Sequence, residues 1–147
     1  IMVFVEFYWD KGRGTYIMAN LQAGLHGTAT TVVTDKNTAQ TMRSGSLPVF
    51  ATPAMCALME EAACAALVGC LDPGMGSVGV SLNISHNAPS AMGATITATA
   101  QLTSVEGRKL TFAVIAKDDH GVIGKGCHER FIIDNEKFMS KLAELNK

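Results

Sequence analysis

The sequence predicts an α+β domain in which an antiparallel sheet curls around one long apolar helix. Three observations predict it. A single helical stretch, opened by Thr52-Pro53, carries almost no polar residues. The segments after it alternate or are rich in β-branched residues at strand length. Short turns join them with no second long helix between, and such connections require antiparallel pairing.

In chain order, Thr28 to Thr34 is β-branched and reads as the first strand. Residues 35–47 are polar, with Asn, Gly and Ser, and read as a loop or a short irregular helix. Thr52 then reads as an N-cap and Pro53 as the first helical residue of a helix running to Val68. Gly69, Pro73 and Gly74 supply its stop. The helix is apolar nearly all round, so burial on most sides is expected, and its alanines let another backbone come close. With fewer than about 18 apolar residues and two glutamates inside, it is a core helix and not a membrane span.

Four strands follow, over 77–85, 94–103, 110–117 and 122–133, with turns at Glu106-Gly107 and at 118–121. Asn135 to Leu145 reads as a terminal helix. Wrapping the sheet on the helix buries both. A free sheet edge remains, and pairing with a second copy is the economical cover, so a homodimer is expected.

The chain has 147 residues, 48% of them hydrophobic and 17% charged, with a net charge of −1. That is enough chain for one core without disulfides or metals. With no basic run and no bulk charge, neither nucleic acid nor an anionic membrane surface is an expected partner. The four cysteines form no CxxC and no zinc-finger spacing, so they read as small buried hydrophobes in a reducing compartment. The default location is cytoplasmic. Residues 1–17 read as an upstream or appended extension, with the functional domain over 18–147.

Glu60 and Glu61 interrupt the apolar helix. At 100° per residue, Glu60 lies about 80° around the axis from Thr52, and Glu61 about 180° away. Glu61 therefore suits the solvent face, and Glu60 the side that carries Thr52. A carboxylate partly buried there can serve as base or nucleophile. Helix capping alone would account for Thr52, but a helix N-terminus also offers free N–H groups to a developing oxyanion. His86 lies where a strand meets a loop, whereas His26, His120 and His128 are less promising. Converging metal ligands, phosphate loops and GxSxG are all absent, so no metal or cofactor is expected.

The stretch from Ser46 to Ala63, with Val49-Phe50-Ala51-Thr52-Pro53 and a Glu eight residues after the Thr, resembles the hot-dog thioesterases related to fluoroacetyl-CoA thioesterase. Gly79-Val-Ser-Leu-Asn-Ile-Ser-His86 is similar to that family's next-strand segment. The similarity spans roughly residues 25–135. It implies a hot-dog fold, hydrolysis of an acyl-CoA thioester, a catalytic set on Thr52, Glu60 and His86, and substrate-site positions at Gly79 and Arg130. The family's fluoroacetyl-selective member lids its pocket with phenylalanines just ahead of the helix. Here Thr41 to Pro48 contains no aromatic residue, so that selectivity is not expected. Small, soft walls from Ala54, Met55, Ala57 and Leu58 are expected instead.

Two rival readings stand beside this one. Hot-dog enoyl-CoA hydratases carry an Asp five residues ahead of their His, where this chain has Ser81. A non-catalytic acyl-binding module would use the same groove without turnover.

Overall fold

The computed structural model describes residues 7–11, 15–18 and 21–147, with backbone alone for the strand residues before 21. Two short strands, β1 (Phe7–Asp10) and β2 (Thr15–Met18), pair antiparallel as a separate two-stranded sheet. The rest of the expected N-terminal extension lies outside the described residues.

The main sheet contains β3 (His26–Val32), β4 (Met75–His86), β5 (Thr95–Glu106), β6 (Lys109–Asp118) and β7 (Gly121–Asp134). Their order is β3-β5-β6-β7-β4, antiparallel throughout. The short β5–β6 and β6–β7 turns enforce neighbouring pairs, whereas β3 and β4 flank the long helix in sequence and end as the two edges. Helix α1 (Ala39–Met42) is a single turn capped by Thr38, helix α2 (Thr52–Ala66) is the central helix, and α3 (Asn135–Leu145) follows β7.

The core lies between α2 and the inner face of the sheet. Met55, Leu58, Met59, Ala62, Ala63 and Ala66 recur at helical spacing and are all buried. They meet Ile96, Ala98, Ala100 and Leu102 of β5, and Leu110, Phe112 and Val114 of β6. Strand β3 comes so close to α2 that a Cβ on Gly27 would stand 2.5 Å from the Ala62 carbonyl oxygen. Only glycine opposite alanine permits this approach.

Two expectations need correction. The central helix ends at Ala66, two residues short of the expected Val68, and is buried on one face only: Ala57, Glu61, Cys64 and Ala65 are exposed, as is Val68 just past its end, at 80%. Low polarity around a helix signals burial only when every apolar face finds a partner, and within this chain one face does not. The cysteines are also not buried. Cys64 and Cys127 are exposed, Cys56 and Cys70 are half-buried, and all four are free thiols. They stand on the faces the core does not use. Among the described residues no helix is long and apolar enough to cross a membrane.

Candidate active site

Thr52 does not cap α2. The cap position belongs to Ala51, whose side chain makes no capping bond, and Thr52 and Pro53 are the first two helical residues. Pro53 fits either position because it lacks the N–H that the first turn leaves unbonded. One residue of displacement leaves the Thr52 hydroxyl uncommitted to the helix. It lies 2.8 Å from Nδ1 of His86, the last residue of β4.

His86 packs edge-on to Phe50, with ring centroids 6.5 Å apart and planes at 74°. Its Nε2 is buried and has no hydrogen-bond partner. Burial holds the imidazole pKa below its ordinary 6.5, with a backbone contact at Ala88 acting the other way. The ring is therefore neutral at neutral pH. A cavity of about 320 Å³ opens beside the pair, lined by Ala39, Ser44, Val49, Phe50, Ala88 and Pro89 as well as Thr52 and His86. The expected lining from Ala54, Met55, Ala57 and Leu58 is not found there. Met55 and Leu58 are buried in the core, and the wall comes from α1, the segment between the two helices, and residues 86–89 at the end of β4.

The folded pKa of His86 lies below the unfolded value, so on acidification the unfolded chain takes up this proton first. His86 therefore makes folding less favourable as pH falls below about 6.5. The same shift predicts that activity requiring neutral His86 persists through pH 6.5 and falls only below it. A pH profile of kcat/KM on an acyl-CoA measures this, and an acid limb centred at 6.5 or above would contradict it.

A second cluster lies two turns further along α2. Glu60 Oε2 accepts from Arg130 Nη1 at 3.1 Å, with the Glu side chain 44% exposed and that of Arg130 6%. Arg130 Nε donates to the Ser77 hydroxyl and Nη2 to the Ser77 carbonyl, each at 2.9 Å. Gly79 forms the wall: a Cβ there would stand 2.5 Å from Glu60 Oε2. Immediately after Gly79 the β4–β7 register slips, leaving Val80 as the bulged residue. Bulges re-aim backbone groups and are frequent beside active sites. A cavity of about 230 Å³ opens there, lined by Glu60, Gly79, Val80, Ser81, Leu82 and His128.

Sequence reasoning missed His128, which is 1% exposed and lies 3.8 Å from Glu60 Oε2. The signal was present. His128 and Arg130 are two apart on a strand and so share a face, which here pairs with Phe112 and Leu110 of the core. Two polar side chains on the core face of a strand need a partner there. Glu61 is exposed, on the side expected for it.

The chain thus brings Thr52 to His86, and Glu60 to Gly79 and Arg130, as two separate groups. Among the described residues no hydrogen bond or ion pair joins them. Eight residues of helix put Glu60 about 12 Å along the axis from Thr52. Among the described residues no group of His, Cys, Asp and Glu could hold a metal ion.

A sheet wrapped on one central helix, with ionisable groups gathered where that helix meets an edge strand, defines the hot-dog class of thioesterases. A solved fluoroacetyl-CoA thioesterase superposes with a TM-score of 0.80 at 37% identity, covering 85% of this chain and 97% of that one. A thioesterase-superfamily protein from Thermus thermophilus gives 0.81 at 27%, covering 88% and 96%. The fluoroacetyl-CoA thioesterase of Streptantibioticus cattleyicolor is 46% identical over 96 residues, 65% of this chain and 69% of the relative. The family model for fluoroacetyl-CoA-specific thioesterase matches residues 33–136. The chain belongs to this family, and it is an enzyme that hydrolyses an acyl-CoA thioester.

Proposed function

We propose that the reacting groups are Thr52, Glu60 and His86, and that a complete site forms only where two copies of the chain meet. The observation that carries this is the separation of the two groups along α2. A thioester carbon and its oxygen span little more than 1 Å, so side chains whose backbones stand about 12 Å apart along one helix, each bonded to different partners, are poorly placed to act on them together within one chain. In β4, His86 is seven residues from Gly79, about 23 Å along the strand. If two β4 edges pair antiparallel about an axis midway between these residues, His86 of one copy faces Gly79 of its partner. Thr52 and His86 of one chain then confront Glu60 of the other.

Two surface features support this pairing. The exposed face of α2 carries the small residues Ala57, Cys64 and Ala65 around the charge of Glu61, Val68 lies exposed just past the helix end, and Val80 on the neighbouring edge is 51% exposed. Small, largely uncharged side chains beside an open strand edge suit a contact between copies. Sedimentation at micromolar concentration should give twice the chain mass, and a clean monomer would contradict the shared site.

In this arrangement the free N–H groups of the first turn of α2 polarise the thioester carbonyl. Glu60 either activates water or attacks the carbonyl carbon itself, releasing the thiolate and leaving an anhydride for water to cleave. Neutral His86 reaches the substrate only through the Thr52 hydroxyl, because its other nitrogen is buried. Thr52, held by His86, then orients the thioester, and the departing thiolate takes its proton from water. Arg130 has both terminal nitrogens engaged within the chain, so it acts on Glu60 and not on substrate. The chemistry draws on no metal or cofactor. Four free thiols support a cytoplasmic setting.

A related structure, 37% identical, holds acetyl-CoA, and another, 39% identical, holds fluoroacetate and CoA, which supports a short acyl group on CoA here. The aromatic residue of the Thr52 cavity, Phe50, is 2% exposed and seated against His86, where it forms a wall and not a cover. Apolar walls discriminate by only about 1–3 kcal/mol per methylene. The kcat/KM for fluoroacetyl-CoA should therefore fall within about tenfold of that for acetyl-CoA, or ~1.4 kcal/mol. Thiol release from both substrates on one preparation tests this, and a thousandfold preference would contradict it.

A further inference from the structure

We infer that His128 is a positioning residue for the reaction, acting on Glu60 through Arg130. This rests on the reading of Glu60 as a reacting group. Arg130 Nη1 carries two hydrogens and has two acceptors, Glu60 Oε2 at 3.1 Å and His128 Nε2 at 3.2 Å. A guanidinium nitrogen only donates, so Nε2 must present its lone pair. The ring hydrogen is therefore on Nδ1, which donates to the Ser81 carbonyl at 2.8 Å. Ser81 is the residue at which β4 resumes its register after the bulge. Neutral His128 thus ties the bulged edge strand to the guanidinium, while Phe112 packs against its ring at 6.2 Å.

The consequence is geometric. With Ser77 holding the other side of Arg130, His128 fixes Nη1, and Nη1 fixes the carboxylate oxygen that lies against Gly79. Glu60 is otherwise nearly half exposed and would sample several rotamers. Without the imidazole acceptor the guanidinium rotates and the carboxylate loses its place. A displacement of about 1 Å at a reacting group can cost about a hundredfold.

The two nitrogens can be tested separately. His128→Gln places an amide oxygen near the Nε2 position and preserves the acceptor for Arg130. His128→Asn preserves a donor for the Ser81 carbonyl but removes that acceptor. We expect the Asn variant to lose about thirtyfold to a hundredfold in kcat with KM changed less than about threefold, and the Gln variant to stay within about fivefold of wild type. The loss on His128→Asn should also disappear when Glu60 is already Gln, because there is no carboxylate left to position. If the Asn variant fails to fold, His128→Leu fills the site against Phe112 without an acceptor and should show the same loss. Wild-type turnover in the acceptor-less variant, or equal losses for Gln and Asn, would overturn the inference. A fully active Glu60→Gln enzyme would instead overturn the underlying reading of Glu60. A dead Glu60→Gln beside a normal acceptor-less variant sinks His128 alone.

Discussion

Replacing Glu60 with Gln should lower kcat by about two to four orders of magnitude, or roughly 3–5 kcal/mol of transition-state stabilisation. Gln is the informative substitution because its amide oxygen can still accept from Arg130 Nη1, now 3.1 Å from the carboxylate. Alanine would leave a guanidinium that is 6% exposed with nothing to balance its charge, confusing lost chemistry with lost folding. Glu61→Gln is the matched control: same helix, one residue on, exposed to solvent. It should stay within about twofold of wild type. Thiol release under saturating acetyl-CoA measures both, and a dead Glu61 variant with an active Glu60 variant would reverse the facing argument.

Gly79→Ala should be nearly as damaging to turnover while leaving the fold intact. The added Cβ would stand 2.5 Å from Glu60 Oε2 and 3.2 Å from the edge of the His128 ring. Gly79 pairs regularly with Arg130 in the β4–β7 ladder, so the backbone accepts an alanine there. What must move is the end of the Glu60 side chain, which is half exposed and free to turn away. For stability that is an inexpensive adjustment. For catalysis it shifts the reacting oxygen by an ångström or more, and a loss of about a hundredfold in kcat is expected. The check is kcat beside a thermal midpoint within a few degrees of wild type. A large fall in midpoint with preserved specific activity would mean that Gly79 serves packing alone.

Much of this arrangement is legible in the sequence. Strand-length runs marked the four strands after the long helix, with clean alternation over 94–103, but of these only β5, β6 and β7 form a meander, β4 crossing over to lie beside β7. The Thr-Pro start with Gly69 beyond bounded the long helix. Helical geometry separated Glu60 from Glu61, and the exposed Glu61 agrees with that arithmetic. Other features depended on tertiary context. Thr-Pro is compatible with either of two frames at a helix start, and only the placement of Ala51 decides that the Thr52 hydroxyl is free for His86. An apolar helix surface reads alike whether its partner is its own sheet or a second copy, so the open face of α2 and the exposed Cys64 were read as core. The spacing of His128 and Arg130 puts the two on one strand face, but the partners that give His128 its role come from pairing β7 with both β6 and the bulged β4, a long-range register that local spacing does not encode.

The central claim is a site completed across two chains, and mixing two inactive variants tests it most directly. Thr52→Ala and Glu60→Gln are each expected to be dead alone, with neither residue within bonding reach of the other in one chain. Refolded together in equal amounts, half of the dimers should be mixed, and each mixed dimer should hold one site with both residues intact. Activity should then return to about a quarter of wild type. A mixture as inactive as its components, in a sample whose subunits have demonstrably exchanged, would place Thr52 and Glu60 in the same chain's site and contradict the account.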